Sequence, residues 1–133
     1  MHAQDLITAY YQAFNEGRTD DMLAMLADDV EHHVNEGPVR KGKELFARFN
    51  AHMTDTYREN LTDMVIFANQ AGDRAAAEFV VNGTYLKTDE GLPHAQGQTY
   101  RLPAGAFFDI RDGKIARVTT YYNLAEWTRQ VVG

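Results

Sequence analysis

The stretch from Gln98 to Asn123, QTYRLPAGAFFDIRDGKIARVTTYYN, decides the fold. Two runs rich in β-branched and aromatic residues, Thr99 to Ile110 and Ile115 to Tyr122, flank Asp112-Gly113, and Asp-Gly between such runs is a strong hairpin signal. A two-stranded ribbon alone is marginal in water, so a pair this long must bury one face. The rest of the chain supplies the cover.

Upstream of the hairpin the pattern is that of further strands, Leu61 to Asn69 and Ala75 to Lys87, with a turn at Gln70 to Asp73. In the second, Ala77, Phe79, Val81, Gly83 and Tyr85 make one face, and Glu78, Val80, Asn82 and Thr84 the other. Glu78 is therefore expected on the outer face. The loop Thr88 to Gly97 carries His94, a candidate lid residue or an ordinary solvated histidine. Further upstream the period becomes helical. Leu6, Ile7, Tyr10, Tyr11 and Phe14 form one helical stripe that ends before Gly17. Thr19 can cap a short second helix with Met22, Leu23, Met25 and Leu26 on its apolar side. Val30 to Asn35 reads as a short strand running into the Gly37-Pro38 break, and a third helix follows Gly42 with Leu45, Phe46, Phe49, His52 and Met53 together. After the hairpin, Leu124 to Val132 packs back as a last helical turn or two through Trp127 and Val131. Three helices, an early strand and a four-stranded meander make an α+β class.

The 133 residues make one domain, 1–133, long enough for a single core. A formal charge of −6 argues against a nucleic-acid partner, which needs clustered Lys and Arg. There are no cysteines, so disulfides and thiolate chemistry are excluded. No leader or membrane-length apolar run is apparent, and the expected setting is the cytoplasm, with no membrane partner. The five histidines, His2, His32, His33, His52 and His94, have no metal-ligand spacing. No phosphate loop or serine elbow is present, and neither a metal nor a cofactor is expected.

The chain resembles the NTF2-like superfamily, also called SnoaL-like or ketosteroid isomerase-like. YYQAFNEGRTDDMLAMLADDVEHHV is similar to the opening helix pair and strand of that family, through Asn15, Gly17, Leu26, Ala27, Asp28, Asp29 and Val30. AFFDIRDGKIARVTTYYNLAEW is similar to its terminal hairpin, through Phe107, Phe108, Asp109, Ile110, Gly113, Lys114, Ile115 and Val118. The resemblance implies a strongly curved, mostly antiparallel sheet forming a cone closed by three N-terminal helices, an apolar pocket within it, and a homodimer through the outer sheet face. Fold analogy leaves the chemistry to be read from the site.

A ketosteroid isomerase uses a carboxylate base, a tyrosine and a protonated aspartate. The resemblance places the tyrosine at Tyr10, but Gly105 stands where the aspartate belongs and Val34 where the base does. His33 is the substitute base, suited to proton transfer near neutral pH with Glu36 beside it. Alternation lets only one of His32 and His33 face the pocket. Tyr122 and Thr120 share the inward face of Val118, and Asn35, Tyr57 and Tyr100 can polarise a carbonyl. Phe79, Phe107 and Trp127 are expected to add apolar ligand contacts. For each of these residues the competing reading is structural: buried aromatics are ordinarily core with a tied hydroxyl, and strand or turn polar residues ordinarily serve the backbone. Two functions follow as expectations. One is cofactor-free isomerase or lyase chemistry on a small apolar carbonyl compound, with His33 as base and Tyr10 or Tyr122 as donor. The alternative is a binding or dimeric assembly module without turnover.

Overall fold

Asp112 and Gly113 both hold positive φ, 52° and 74°, as a two-residue turn matched to strand twist requires. Around them β5 (Thr99–Arg111) and β6 (Lys114–Tyr122) pair antiparallel, Arg111 opposite Lys114. The computed structural model describes residues 2–132. Its remaining elements are α1 (Ala3–Asn15), α2 (Thr19–Ala24), β1 (Leu26–Val34), β2 (Arg40–Lys41), α3 (Lys43–Thr56), β3 (Tyr57–Ala68), β4 (Arg74–Tyr85) and α4 (Leu124–Val132). None of the helices is long and apolar enough to cross a membrane.

The strands form one open, mixed sheet in the order β2-β1-β6-β5-β4-β3. The meander β3 to β6 is antiparallel throughout, whereas β1 joins β6 in parallel. That pairing corrects two boundaries. Met25 and Leu26 leave the helical stripe because the Met25 carbonyl accepts the Ile115 N–H at 2.9 Å and Leu26 stands opposite Ile115. The early strand thus begins four residues sooner than its apolar pattern indicates. Thr19 does not cap α2 either; it is already helical, and Arg18 before it pairs with Asp21 and Glu16 instead.

A third correction matters more for the site. β3 starts at Tyr57, not Leu61, and runs directly out of α3. Tyr57, Glu59 and Leu61 point inward together, opposite Tyr85, Gly83 and Val81 of β4. β3 is an edge strand, and Asn15 at the end of α1 covers part of it: its amide donates to the Leu61 carbonyl and accepts from the Leu61 N–H, both at 2.9 Å. Asp63, at φ 53°, lies in a bulge between Thr62 and Val65. The closing segment is helical over the expected bounds, Leu124–Val132. α4 spans nine residues, its first turn closed by Asn123 Oδ1 accepting the Glu126 N–H at 3.0 Å.

The core lies on the inner face of the sheet. Tyr10 and Tyr11 of α1 meet Phe108 and Phe79 with ring centroids 5.2 to 6.1 Å apart. Trp127 of α4 stands edge-on to Tyr57, Tyr85 and Tyr100 at 5.0 to 6.1 Å. Such aromatic pairs add stabilisation beyond their buried area. A third group, His32 with Phe46 and Phe49 of α3, sits against β1.

Candidate active site

Between these three aromatic groups lies a cavity of about 470 Å³, the size of a small-molecule pocket. Tyr10, Tyr57, Phe79, Tyr100, Thr120, Tyr122 and Trp127 all line it. The sequence pattern brings them together because alternate residues of each strand share the inner face and helix residues three and four apart share a stripe.

Three expected site residues lie elsewhere. His33 stands opposite Thr119, one register step off the inward row; His32, opposite Val118, takes the cavity side. The candidate base is therefore outside the cavity, and the other histidine of the pair is within it. Asn35, with φ 48°, is consumed by the backbone: its Oδ1 accepts the Tyr122 N–H and its N–H donates to the Thr120 carbonyl. Phe107 is 46% exposed on the opposite face, 6.0 Å from Tyr121, because Phe108 occupies the inward position.

The residue that sequence reasoning missed is Glu59. It lines the cavity, half-buried, and its Oε2 accepts the Tyr100 hydroxyl at 2.5 Å. Its Oε1 takes no hydrogen bond from any described residue. Burial raises the Glu59 carboxyl above its ordinary value, and the Tyr100 hydrogen bond opposes that shift in part. A carboxylate so placed can exchange a proton nearer neutrality.

His32 is buried by the opposite wall. Burial first, then the charges of Arg40 and His33, lower it to about 4, so it is a neutral imidazole and a weak base. Its Nδ1 is the one buried side-chain nitrogen or oxygen among the described residues that lacks a hydrogen-bond partner. Arg40 lies over the Phe49 ring at 4.2 Å.

The tyrosines divide into tied and free. Tyr57 donates to Asp89 Oδ2 at 2.7 Å, and His52 Nε2 contacts the other oxygen of Asp89 at 2.9 Å. Tyr85 donates to the Pro93 carbonyl and accepts from the Asp89 N–H. These bonds anchor the loop that contributes Leu86 and Leu92 to the cavity wall. His94 belongs to the same loop and contacts Thr88 Oγ1 at 3.1 Å. Tyr10, Tyr11 and Tyr122 make no hydroxyl hydrogen bond to a described residue, and their hydroxyls are not sealed from the cavity. Burial raises all three above the ordinary tyrosine value, so they remain protonated donors. The lining thus combines one carboxyl, one neutral imidazole and several tyrosine hydroxyls with a mainly aromatic and aliphatic surface.

Comparison with known proteins agrees on the family. A crystal structure from Pseudomonas putida KT2440 is 56% identical with a TM-score of 0.97 over 98% of both chains. One from Silicibacter sp. TM1040 is 64% identical with a TM-score of 0.95, over 98% of this chain and 95% of that one. Both are described as a "putative polyketide cyclase". An LEH-like epoxide hydrolase from M. tuberculosis, 15% identical with a TM-score of 0.77 over 98% of this chain and 89% of that one, shares the fold. Among curated proteins, none matches this chain. The model of the SnoaL-like domain matches residues 7–118, and the chain belongs to the SnoaL-like family.

Proposed function

We propose that this domain binds an apolar, carbonyl-bearing small molecule in its cavity and moves a proton on it without a cofactor, in isomerase- or cyclase-type chemistry with Glu59 as the base. The observation that carries the reading is the Glu59 carboxylate in the cavity lining, with one oxygen free of hydrogen bonds and free tyrosine hydroxyls lining the same cavity. Glu59 removes a proton from the carbon beside the carbonyl. The developing enolate oxygen accepts from Tyr10 or Tyr122, donors already in place when charge appears. In an isomerisation Glu59 returns the proton to another carbon. In a cyclisation the enolate carbon attacks a second carbonyl of the same molecule, and the alkoxide takes the proton from Glu59. Both sequences balance without an oxidant or a reductant. The name carried by the Pseudomonas and Silicibacter relatives favours the second.

The reading includes a sheet curved into a cone around the ligand, supported by the bulges in β3 and at Ala116 of β6, since bulged strands bend. It also includes a homodimer through the outer face, where Val65, Phe67, Phe107 and Tyr121 are exposed on adjacent rows.

The test has two stages. Hydroxylated aromatic ketones and 1,3-diketones are screened by thermal shift, where a ligand at a hundredfold excess over its Kd adds about 2.7 kcal/mol, or roughly 10 °C in a domain of this size. For compounds that bind, deuterium exchange at the carbon beside the carbonyl is followed by NMR in wild type and Glu59→Gln. Exchange that depends on Glu59 supports an enzyme. Binding with no exchange in wild type identifies a carrier and overturns the catalytic reading.

A further inference from the structure

Glu59, Gly83 and Tyr100 form one row across three strands, Glu59 opposite Gly83 and Gly83 opposite Tyr100. The outer two members are two strand spacings apart, roughly 9–10 Å. They nevertheless share a hydrogen bond of 2.5 Å. The middle residue makes this possible. A Cβ at Gly83 would lie 2.2 Å from Tyr100 Cζ, 2.3 Å from Cε2 and 2.4 Å from the hydroxyl oxygen, so the ring lies flat in the space that any other residue would fill. This is the close approach that a glycine inside a strand often marks. Backbone conformation gives no reason for it, because Gly83 is absent from the positive-φ residues.

We propose that Tyr100, crossing strand β4 over Gly83, is the positioning residue of the site: it grips Glu59 through Oε2 and so presents Oε1 to the ligand. The inference deepens the reading of Glu59 as proton carrier and rests on it. Tyr100 is itself fixed, buried against Trp127 with ring centroids 5.9 Å apart. The grip therefore extends from α4 across the sheet to β3. A carboxyl held by one oxygen meets the substrate with a single defined atom instead of a rotating pair. Its charged form is favoured by the phenol in a place where burial disfavours it.

The experiment is an NMR titration of the Glu59 side-chain carboxyl carbon, assigned with Glu59→Gln, in full-length protein without ligand. Wild type is compared with Tyr100→Phe, which removes only the hydroxyl, with Gly83→Ala, which displaces the ring, and with the double variant. Gly105→Ala is the control, a glycine on the neighbouring strand whose added Cβ would meet only the Ala77 carbonyl at 3.4 Å. Tyr100→Phe and Gly83→Ala are expected to move the Glu59 midpoint upward. The double variant should add nothing to Tyr100→Phe alone, and Gly105→Ala should titrate as wild type. An unchanged midpoint in Tyr100→Phe overturns the inference, as does a Gly83→Ala protein that folds and titrates as wild type. A structural role alone would lower the melting temperature of these variants without moving the titration. Loss of the catalytic reading is separately visible, because deuterium exchange that survives Glu59→Gln removes the function while leaving the titration unaffected.

Discussion

The two walls of the cavity each bury a group that could be charged, and they treat it differently. On the α3–β1 wall, His32 lies between Phe46 and Phe49 with Nδ1 unpartnered. On the β3–β5 wall, Glu59 keeps a hydrogen bond from Tyr100 and a free second oxygen. Desolvation disfavours the charged form of both, lowering the histidine and raising the carboxyl. The consequences for proton transfer are opposite. A histidine at about 4 has lost most of its basicity at neutral pH, whereas a raised carboxyl has gained it. On the proposed reading, the wall with the polar contact carries the chemistry and the other holds apolar surface of the ligand.

The largest effect expected from this contrast is on exchange at the carbon beside the ligand carbonyl. Glu59→Gln should lower its rate by about 10²- to 10⁴-fold, the usual contribution of general base catalysis. His32→Leu should leave the rate within a few fold; an equal loss in both variants would erase the distinction between the walls. Next in size is Phe46→Ala. The side chain is 3% exposed, and its removal should cost about 3–5 kcal/mol, read as a lower denaturant midpoint.

The pH dependence separates the walls by sign. His32 is lowered in the folded state from 6.5 to about 4, so its contribution to stability is intact above 6.5 and is lost as pH falls toward 4. The loss reaches about 3 kcal/mol at full titration, and His32→Leu should flatten that part of the stability curve. Glu59 is raised, so its contribution is intact below 4.5 and falls as pH rises through the folded value. Glu59→Gln should flatten the opposite limb; slopes of the same sign for the two variants would contradict the assignment. The smallest effect belongs to Tyr10→Phe. Its hydroxyl has no partner among the described residues, so the stability change should stay within about 0.5 kcal/mol, while ligand affinity falls if the enolate oxygen docks there.

Much of this molecule is legible in its sequence where local chemistry decides. Asp112-Gly113 fixes the hairpin, Gly17 ends the first helix, and the alternation from Ala77 to Tyr85 fixes which face of β4 is buried. Long-range pairing is not legible in the same way. The parallel contact of β1 with β6 joins segments about ninety residues apart and draws Leu26 out of a helical stripe. Phe107 and Phe108 are equally apolar and adjacent, so their parity cannot be read from composition. His32 and His33 pose the same problem, and a single register step resolves it. Glu59 escaped for a different reason. An inward carboxylate breaks the apolar alternation that marks a strand, so the segment containing it reads as a connection. A functional site violates the pattern that would reveal it.

Asn15 has a consequence for life in a concentrated solution. An edge strand with bare N–H and C=O groups is a template on which another chain can add a strand. The Asn15 side chain presents one donor and one acceptor to Leu61, as the backbone of a neighbouring strand would, and so occupies that pairing position with a group that cannot be extended. The amide acts as a stopper against polymerisation along the sheet. A leucine there would fill similar space, yet leave the β3 edge open to association between molecules.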